Sequence, residues 1–106
     1  MSIKQISASE LKARIDRGET FEFVDVRTDM EREIASIDGA RLLDQAYYEE
    51  LMAKDKKTPM VFHCHHGMRS QSAAQHFDAN GFSDLCNLDG GIDAWSALVD
   101  PQVPRY

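Results

Sequence analysis

Residues 60–70 have the sequence Met60-Val61-Phe62-His63-Cys64-His65-His66-Gly67-Met68-Arg69-Ser70. The apolar beginning predicts a short buried strand, and an alanine-rich segment with helical spacing starts at Ser70. Cys64 therefore falls between a strand end and a helix start, where backbone N–H groups converge and the helix dipole is positive. Because that setting favours the thiolate, which is the reactive form of cysteine, we predict that Cys64 is a nucleophile.

Short strand-like runs alternate with helical segments along the whole chain. We predict strands at residues 3–6, 21–26, 42–43, 60–62 and 85–88, the first of them at a sheet edge. We predict five helices. The first starts at the capping box of Ser7 and Glu10, the second lies within residues 28–36, and the third follows the N-cap Asp44. The fourth starts at Ser70 and the fifth after Gly90-Gly91. Strands separated by helices indicate an α/β fold with a parallel sheet covered on both faces. Ligand sites in such sheets lie at the carboxyl ends of the strands, which is where Cys64 falls.

Size and composition exclude several functional classes. A chain of 106 residues is long enough for one compact domain, residues 1–106, and too short for two. Its net charge of −6 argues against nucleic-acid or anionic-membrane partners, which require basic patches. No run could span a bilayer and the first residues lack the apolar core of a secretory signal, so we expect a cytoplasmic protein. Two cysteines do not make a disulfide framework, so at least one should be free.

The length of the cysteine loop separates two kinds of chemistry. His63-Cys64 and Arg69-Ser70 resemble the signature of protein tyrosine phosphatases, but four residues separate Cys64 from Arg69, one fewer than that signature requires. A shorter loop makes a smaller cradle, which fits one additional sulfur atom better than a phosphoryl or arsenate group. A phosphatase or arsenate reductase-like enzyme is therefore the weaker alternative.

Several motifs in order along the chain resemble those of single-domain rhodaneses. Cys64-His65-His66-Gly67-Met68-Arg69-Ser70 resembles the family's active-site loop, C-x-x-G-x-R-S. Asp25-Val26-Arg27 resembles its D-V-R segment, and residues 88–95 match the closing pattern L-x-G-G-x-x-A-W. Ile37-Asp38-Gly39-Ala40 resembles the element G-H-I-x-G-A, although Ala35-Ser36 replaces the usual Gly-His. The resemblance spans nearly the whole chain.

This resemblance implies a rhodanese-like fold with a five-stranded, mostly parallel sheet, and sulfurtransferase chemistry. Cys64 would take sulfane sulfur from thiosulfate or a related donor, form a persulfide, and pass the sulfur to a thiol or to cyanide. The cycle would need no metal or organic cofactor. The substrate-binding residues would be those of the loop, namely His65, His66, Gly67, Met68, Arg69 and Ser70.

Arg69 and the two histidines of the loop are predicted to have different roles. Arg69 is our choice for the cation that binds an anionic donor. His65 and His66 contribute chiefly backbone N–H groups, with proton transfer by their side chains as the alternative. We expect no metal site, because contiguous residues do not easily converge on a tetrahedral ion.

Outside the loop, three predictions concern supporting residues. The resemblance implies that Asp25 and Arg27 belong to a structural charge pair with a nearby acidic residue such as Glu31. Cys86 is predicted to be a core residue, with a resolving thiol for the Cys64 persulfide as the alternative. Residues 100–106 resemble the ends of rhodanese domains attached to adenylating enzymes, which favours a second hypothesis, a sulfur-relay or regulatory module that receives sulfur from a partner protein.

Overall fold

The structure of the chain, a computed structural model, describes residues 3–106. Its elements, in chain order, are β1 (Ile3–Ile6), α1 (Ala8–Asp16), β2 (Glu22–Asp25), α2 (Asp29–Ile34), β3 (Arg41–Leu42), α3 (Gln45–Met52), β4 (Met60–His63), α4 (Met68–Ala79), β5 (Leu85–Leu88) and α5 (Gly91–Leu98). The five strands form one parallel sheet in the order β1-β5-β4-β2-β3, which confirms the predicted α/β fold and the edge position of β1. None of the helices in residues 3–106 is long and apolar enough to cross a lipid bilayer.

Strand β4 lies at the centre of the sheet and is buried on both faces. Met60 and Phe62 pack in the cluster that contains Leu51 of α3 and Phe77 of α4. Val61 points to the opposite cluster, which is covered by α1 and α5. A strand with helices on both faces needs apolar side chains at successive positions, which explains the unbroken run before Cys64.

Three helices begin with side-chain caps, of which those at Ser7 and Asp44 were predicted from the sequence. Ser7 accepts from the N–H of Glu10 at 3.1 Å, and Glu10 accepts in return from the N–H of Ser7 at 3.2 Å. Thr28 and Glu31 form the same reciprocal pair at α2, and Asp44 caps α3. These caps define where the helices begin through hydrogen bonds between residues close together in the chain.

Helix α4 starts at Met68, two residues before the predicted start at Ser70. Gly67 precedes it with φ +110°, a conformation that lets the chain turn directly from the loop into the helix. Other predicted boundaries were also wrong: Phe21 and Val26 lie just outside β2. Ile15 of α1 and Leu98 of α5 are exposed.

Helix α5 packs its first turn directly on the cysteine loop. The N–H groups of Ile92 and Asp93 donate to the carbonyls of Cys64 and His65 at 2.9 and 3.2 Å. A Cβ on Gly91 would lie 2.4 Å from the Cys64 carbonyl oxygen, so only glycine permits this approach. Gly91 also has φ +58°, in the left-handed region.

Gly91→Ala should therefore destabilise the fold by about 2–4 kcal/mol, because the new methyl group meets backbone that cannot move without breaking the loop. Gly18→Ala is the matched control, since Gly18 has φ +73° but no atom within 4 Å of its Cβ position. It should cost about 1 kcal/mol, the backbone strain alone. Urea unfolding midpoints measure both changes, and equal losses would show that the α5 contact is not tight.

Candidate active site

Cys64 directly follows β4, at the carboxyl edge of the sheet where the sequence placed it. The residue is 1% exposed and lies at the floor of a depression of about 280 Å³. The wall of this depression consists of His65, His66, Met68 and Arg69. Four of the six predicted loop residues thus surround the sulfur, while Gly67 and Ser70 lie buried beneath it.

The Cys64 sulfur takes the place of a side-chain cap at the start of α4. It accepts the N–H of Gly67 at 3.1 Å and the N–H of Ser70, the third residue of the helix, at 3.4 Å. Gly67, the N-cap residue, has no side chain to do this. Serine and aspartate caps accept from the same position in ordinary helices. The sulfur is therefore placed where a negative charge is favoured by the helix.

The carbonyl groups of the loop are directed away from the sulfur. Those of Cys64 and His65 accept from the first turn of α5, and that of Gly67 accepts from Asn87 Nδ2 at 3.1 Å. In a trans peptide group the C=O and the N–H of the next residue point to opposite sides, so outward carbonyls leave the inside of the loop to N–H groups. The N–H groups of Gly67 and Ser70 that reach the sulfur form the kind of concave N–H cluster that favours an anion.

Hydrogen bonding outweighs burial in setting the acidity of Cys64. Burial raises the pKa of the thiol, but the Ser70 hydroxyl and the N–H groups of Ser70, Gly67 and Arg69 lower it below its ordinary value. The Ser70 hydroxyl lies 3.3 Å from the sulfur and 2.5 Å from Asn87 Oδ1, and its single proton serves one of them at a time. A thiolate is the stronger acceptor, so ionisation of Cys64 draws that proton to the sulfur.

Arg69 lies at the mouth of the depression but is already paired. Its two terminal nitrogens donate to the carboxylate oxygens of Glu31 at 2.6 and 2.9 Å. The Arg69 guanidinium, with help from Tyr106 and Thr28, holds the pKa of Glu31 far below its usual range, so Glu31 is ionised at neutral pH. Arg69 thus lines the depression at Cys64 and has an anionic partner that the sequence did not indicate.

Asp25 and Arg27 do form a structural charge pair, but the acidic partner of Arg27 is Asp25 and not Glu31, so that part of the prediction was wrong. Arg27 donates to both carboxylate oxygens of Asp25 at 2.7 and 2.8 Å, and both side chains are fully buried. Arg27 contacts only the backbone carbonyl of Glu31, at 3.4 Å, and donates to the carbonyl of Ala35. The carboxylate of Glu31 projects instead toward Arg69. The buried pair therefore holds α2 against β2 and so fixes the helix from which Glu31 extends.

The three histidines around Cys64 have different environments. His63 is fully buried beside Phe23, and neither of its ring nitrogens has a hydrogen-bond partner among residues 3–106. Burial lowers its pKa from 6.5 to about 4, so it is neutral at physiological pH. His65 lies between the rings of His66 and Tyr106, with centroids 3.9 Å from each. Of these three histidines, His65 and His66 line the depression at Cys64 and His63 does not.

Asp93 of α5 lies beside the two stacked histidines. Its carboxylate lies 4.0 Å from His66 Nε2, and ligand atoms of His65, His66 and Asp93 all fall within 4.8 Å of one another. The adjacent histidines therefore do converge with a third possible ligand, contrary to our reasoning from spacing. Both oxygens of Asp93 already accept from Arg105, at 3.0 and 3.1 Å, so the group is occupied by an ion pair.

Cys86 occupies the core, as predicted. It packs in the cluster covered by α1 and α5, is 4% exposed, and its sulfur accepts from Arg14 Nη1 at 3.5 Å. Both cysteines are free.

Four residues near the site escaped the sequence reasoning: Asn87, Asp93, Arg105 and Tyr106. Asn87 had a usable signal, because a polar residue within a buried strand needs partners and commonly belongs to a site. The terminal pair had none, since nothing in residues 105–106 shows that the chain end returns to the cysteine loop.

Comparison with known proteins places the chain among sulfurtransferases. It is 32% identical over 106 residues to the thiosulfate sulfurtransferase GlpE of Pseudoalteromonas translucida, covering 99% of this chain and 100% of the relative. It is 34% identical over 104 residues to the probable adenylyltransferase/sulfurtransferase MoeZ of Mycobacterium tuberculosis, covering 95% of this chain but only 26% of that longer protein.

The fold comparison agrees. A rhodanese-like domain protein from Staphylococcus aureus superposes with a TM-score of 0.77 at 30% identity, covering 97% of this chain and 98% of that structure. The family model described as a rhodanese-like domain matches residues 7–98, which include every motif that carries the resemblance. The chain belongs to the rhodanese-like domain family.

Proposed function

We propose that residues 1–106 form a single-domain sulfurtransferase that moves sulfane sulfur from thiosulfate or a related donor through a Cys64 persulfide to a thiol or cyanide. The observation that carries this proposal is the contact of the Cys64 sulfur with the N–H groups of Gly67 and Ser70. These donors stabilise a charged sulfur without a metal or an organic cofactor. The full-length similarity to GlpE supports the same reaction class.

In the first step the Cys64 thiolate attacks the outer sulfur of thiosulfate. A new S–S bond forms to Cys64 Sγ, the bond between the two donor sulfurs breaks, and its electron pair leaves with sulfite. The product is the persulfide anion of Cys64. Its terminal sulfur occupies the depression lined by residues of the loop, from His65 to Arg69.

In the second step an acceptor takes the terminal sulfur. Cyanide attacks that sulfur, the bond to Cys64 Sγ breaks, and thiocyanate leaves with the thiolate of Cys64 restored. A cellular thiolate that attacks the protonated persulfide gives a new thiol persulfide and the same thiolate. No electrons enter or leave the cycle, so it needs no redox partner.

Treatment with thiosulfate should add one sulfur, about 32 Da, to the tryptic peptide of residues 58–69, which contains Cys64 and not Cys86. Cys64→Ser should show no gain, because a hydroxyl does not replace the thiolate as a nucleophile. Intact and peptide mass spectrometry provide the measurement, and Cys86→Ser is the control that should gain sulfur normally. A gain that persists in Cys64→Ser would sink the proposal.

Ser70→Ala should raise the pKa of the Cys64 thiol by about one unit or more, because a hydrogen bond to a charged acceptor contributes roughly 1.5–3 kcal/mol. The rate of iodoacetamide alkylation of peptide 58–69, measured from pH 5 to 10, gives the midpoint directly. Ser72→Ala, an exposed serine on the same helix, should leave the midpoint unchanged. An unmoved midpoint in Ser70→Ala would show that the backbone N–H groups act alone.

The second candidate is a sulfur-relay module, which the match to a segment of MoeZ favours. Steady-state thiosulfate:cyanide assays distinguish the candidates. An enzyme should turn over rapidly, and its activity should vanish in Cys64→Ser. A relay module should turn over slowly with these small molecules, yet transfer sulfur efficiently from a persulfide-loaded protein donor to Cys64.

A further inference from the structure

The charges around the mouth of the Cys64 depression are matched in pairs. Arg69 is bound by both oxygens of Glu31, and Arg105 is bound by both oxygens of Asp93. The two arginines are therefore compensated, in a chain whose net charge is −6. An anionic donor that approaches Cys64 must compete with a tethered carboxylate for either of these guanidinium groups.

Glu31 is held in place by contacts other than Arg69. The N–H and hydroxyl of Thr28 donate to its Oε1 at 3.3 and 3.2 Å, as part of the capping box of α2. The hydroxyl of Tyr106 donates to its Oε2 at 2.7 Å. Two neighbouring residues thus restrict this carboxylate through three hydrogen bonds, so it does not have to be ordered before it pairs with Arg69.

Tyr106 is itself oriented toward Glu31. Arg27 Nη1 donates to the Tyr106 hydroxyl oxygen at 3.0 Å, which leaves the hydroxyl proton for Glu31. The Tyr106 ring stacks on His65 at 3.9 Å and an interplanar angle of 10°. The end of the chain therefore links the buried Asp25–Arg27 pair to the rim of the cysteine loop.

This arrangement affects donors according to their charge. Thiosulfate brings two negative charges to a thiolate and to the ionised Glu31, and the compensated Arg69 offers no net attraction. A donor with one charge or none avoids most of that repulsion, while its sulfane sulfur reaches the same N–H groups. The N–H groups of the loop thus stabilise one negative charge on sulfur, and Glu31 at the rim repels a second negative charge.

We propose that Glu31, held by Tyr106, makes the site discriminate against dianionic sulfur donors and favour organic thiosulfonates and thiol persulfides. The inference rests on the proposed sulfurtransferase function. With a thiosulfonate, the Cys64 thiolate attacks the outer sulfur and the S–S bond of the donor breaks, so that a sulfinate leaves and the persulfide anion remains. With a protonated thiol persulfide, the leaving group is the thiolate.

Methanethiosulfonate tests the inference because it is nearly isosteric with thiosulfate, with a methyl group in place of one charged oxygen. Values of kcat/KM for both anions, with cyanide as acceptor, should differ in their response to Glu31→Gln. We expect the thiosulfate value to rise about tenfold, mainly through a lower KM, and the methanethiosulfonate value to rise less than about threefold. Glu33→Gln, on the exposed side of α2, makes the same change in net charge and should alter neither value.

Tyr106→Phe is a second variant that leaves the capping box of α2 intact. Loss of its hydroxyl releases Glu31 from one contact, so kcat/KM for thiosulfate should rise about threefold relative to kcat/KM for methanethiosulfonate. Thermal unfolding of each variant verifies that the compared proteins are folded.

Two outcomes would overturn the inference. If Glu31→Gln lowers the thiosulfate value, or raises the values for both anions equally, Glu31 does not select donors by charge although Cys64 still transfers sulfur. If wild-type Cys64 gains sulfur from neither anion, the proposed function fails and this inference fails with it. The mass of peptide 58–69 separates the two cases.

Discussion

The N-terminal amides of α4 need an acceptor, and Cys64 provides it. Serine or aspartate normally fills this position, but Gly67 stands at the N-cap and the sulfur accepts from the N–H groups of Gly67 and Ser70. The interaction that caps the helix is therefore also the one that activates the thiol. The short loop of residues 64–67 keeps the sulfur within reach of these amides.

This interaction depends on elements that are distant along the chain. The sheet order places β5 beside β4, so that Asn87 and the glycine turn before α5 reach the loop and bind its carbonyls. On the other side β2 leads into α2, which brings Glu31 to the rim. The order of the strands thus determines more than the position of Cys64. It also sets the direction of the loop carbonyls and places the carboxylate of Glu31 at the entrance to the depression.

The fold and the position of Cys64 at the carboxyl edge of the sheet could be predicted because they depend on local signals. The apolar run before Cys64 and the capping spacing of Ser7 and Glu10 each need only a few neighbouring residues. The pairing of Arg69 with Glu31 could not be predicted, because it depends on the direction in which α2 leaves the sheet. The sequence places Glu31 within the helical segment of residues 28–36 but gives no indication that its carboxylate faces another helix. Boundary errors, such as the start of α4, arose because Gly67 permits a tighter turn than the pattern shows.

Stabilising the sulfur by peptide dipoles rather than by a free cation suits the proposed cycle. In that cycle Cys64 carries one negative charge as a thiolate and again as a persulfide anion, so the N–H groups of the loop face a single charge in both states. An uncompensated arginine would also bind sulfite, the dianionic product, and slow its departure. Pairing Arg69 with Glu31 removes that attraction while keeping the guanidinium in place to shape the wall of the depression. The rim is therefore suited to releasing anions, and the loop beneath it to holding one sulfur.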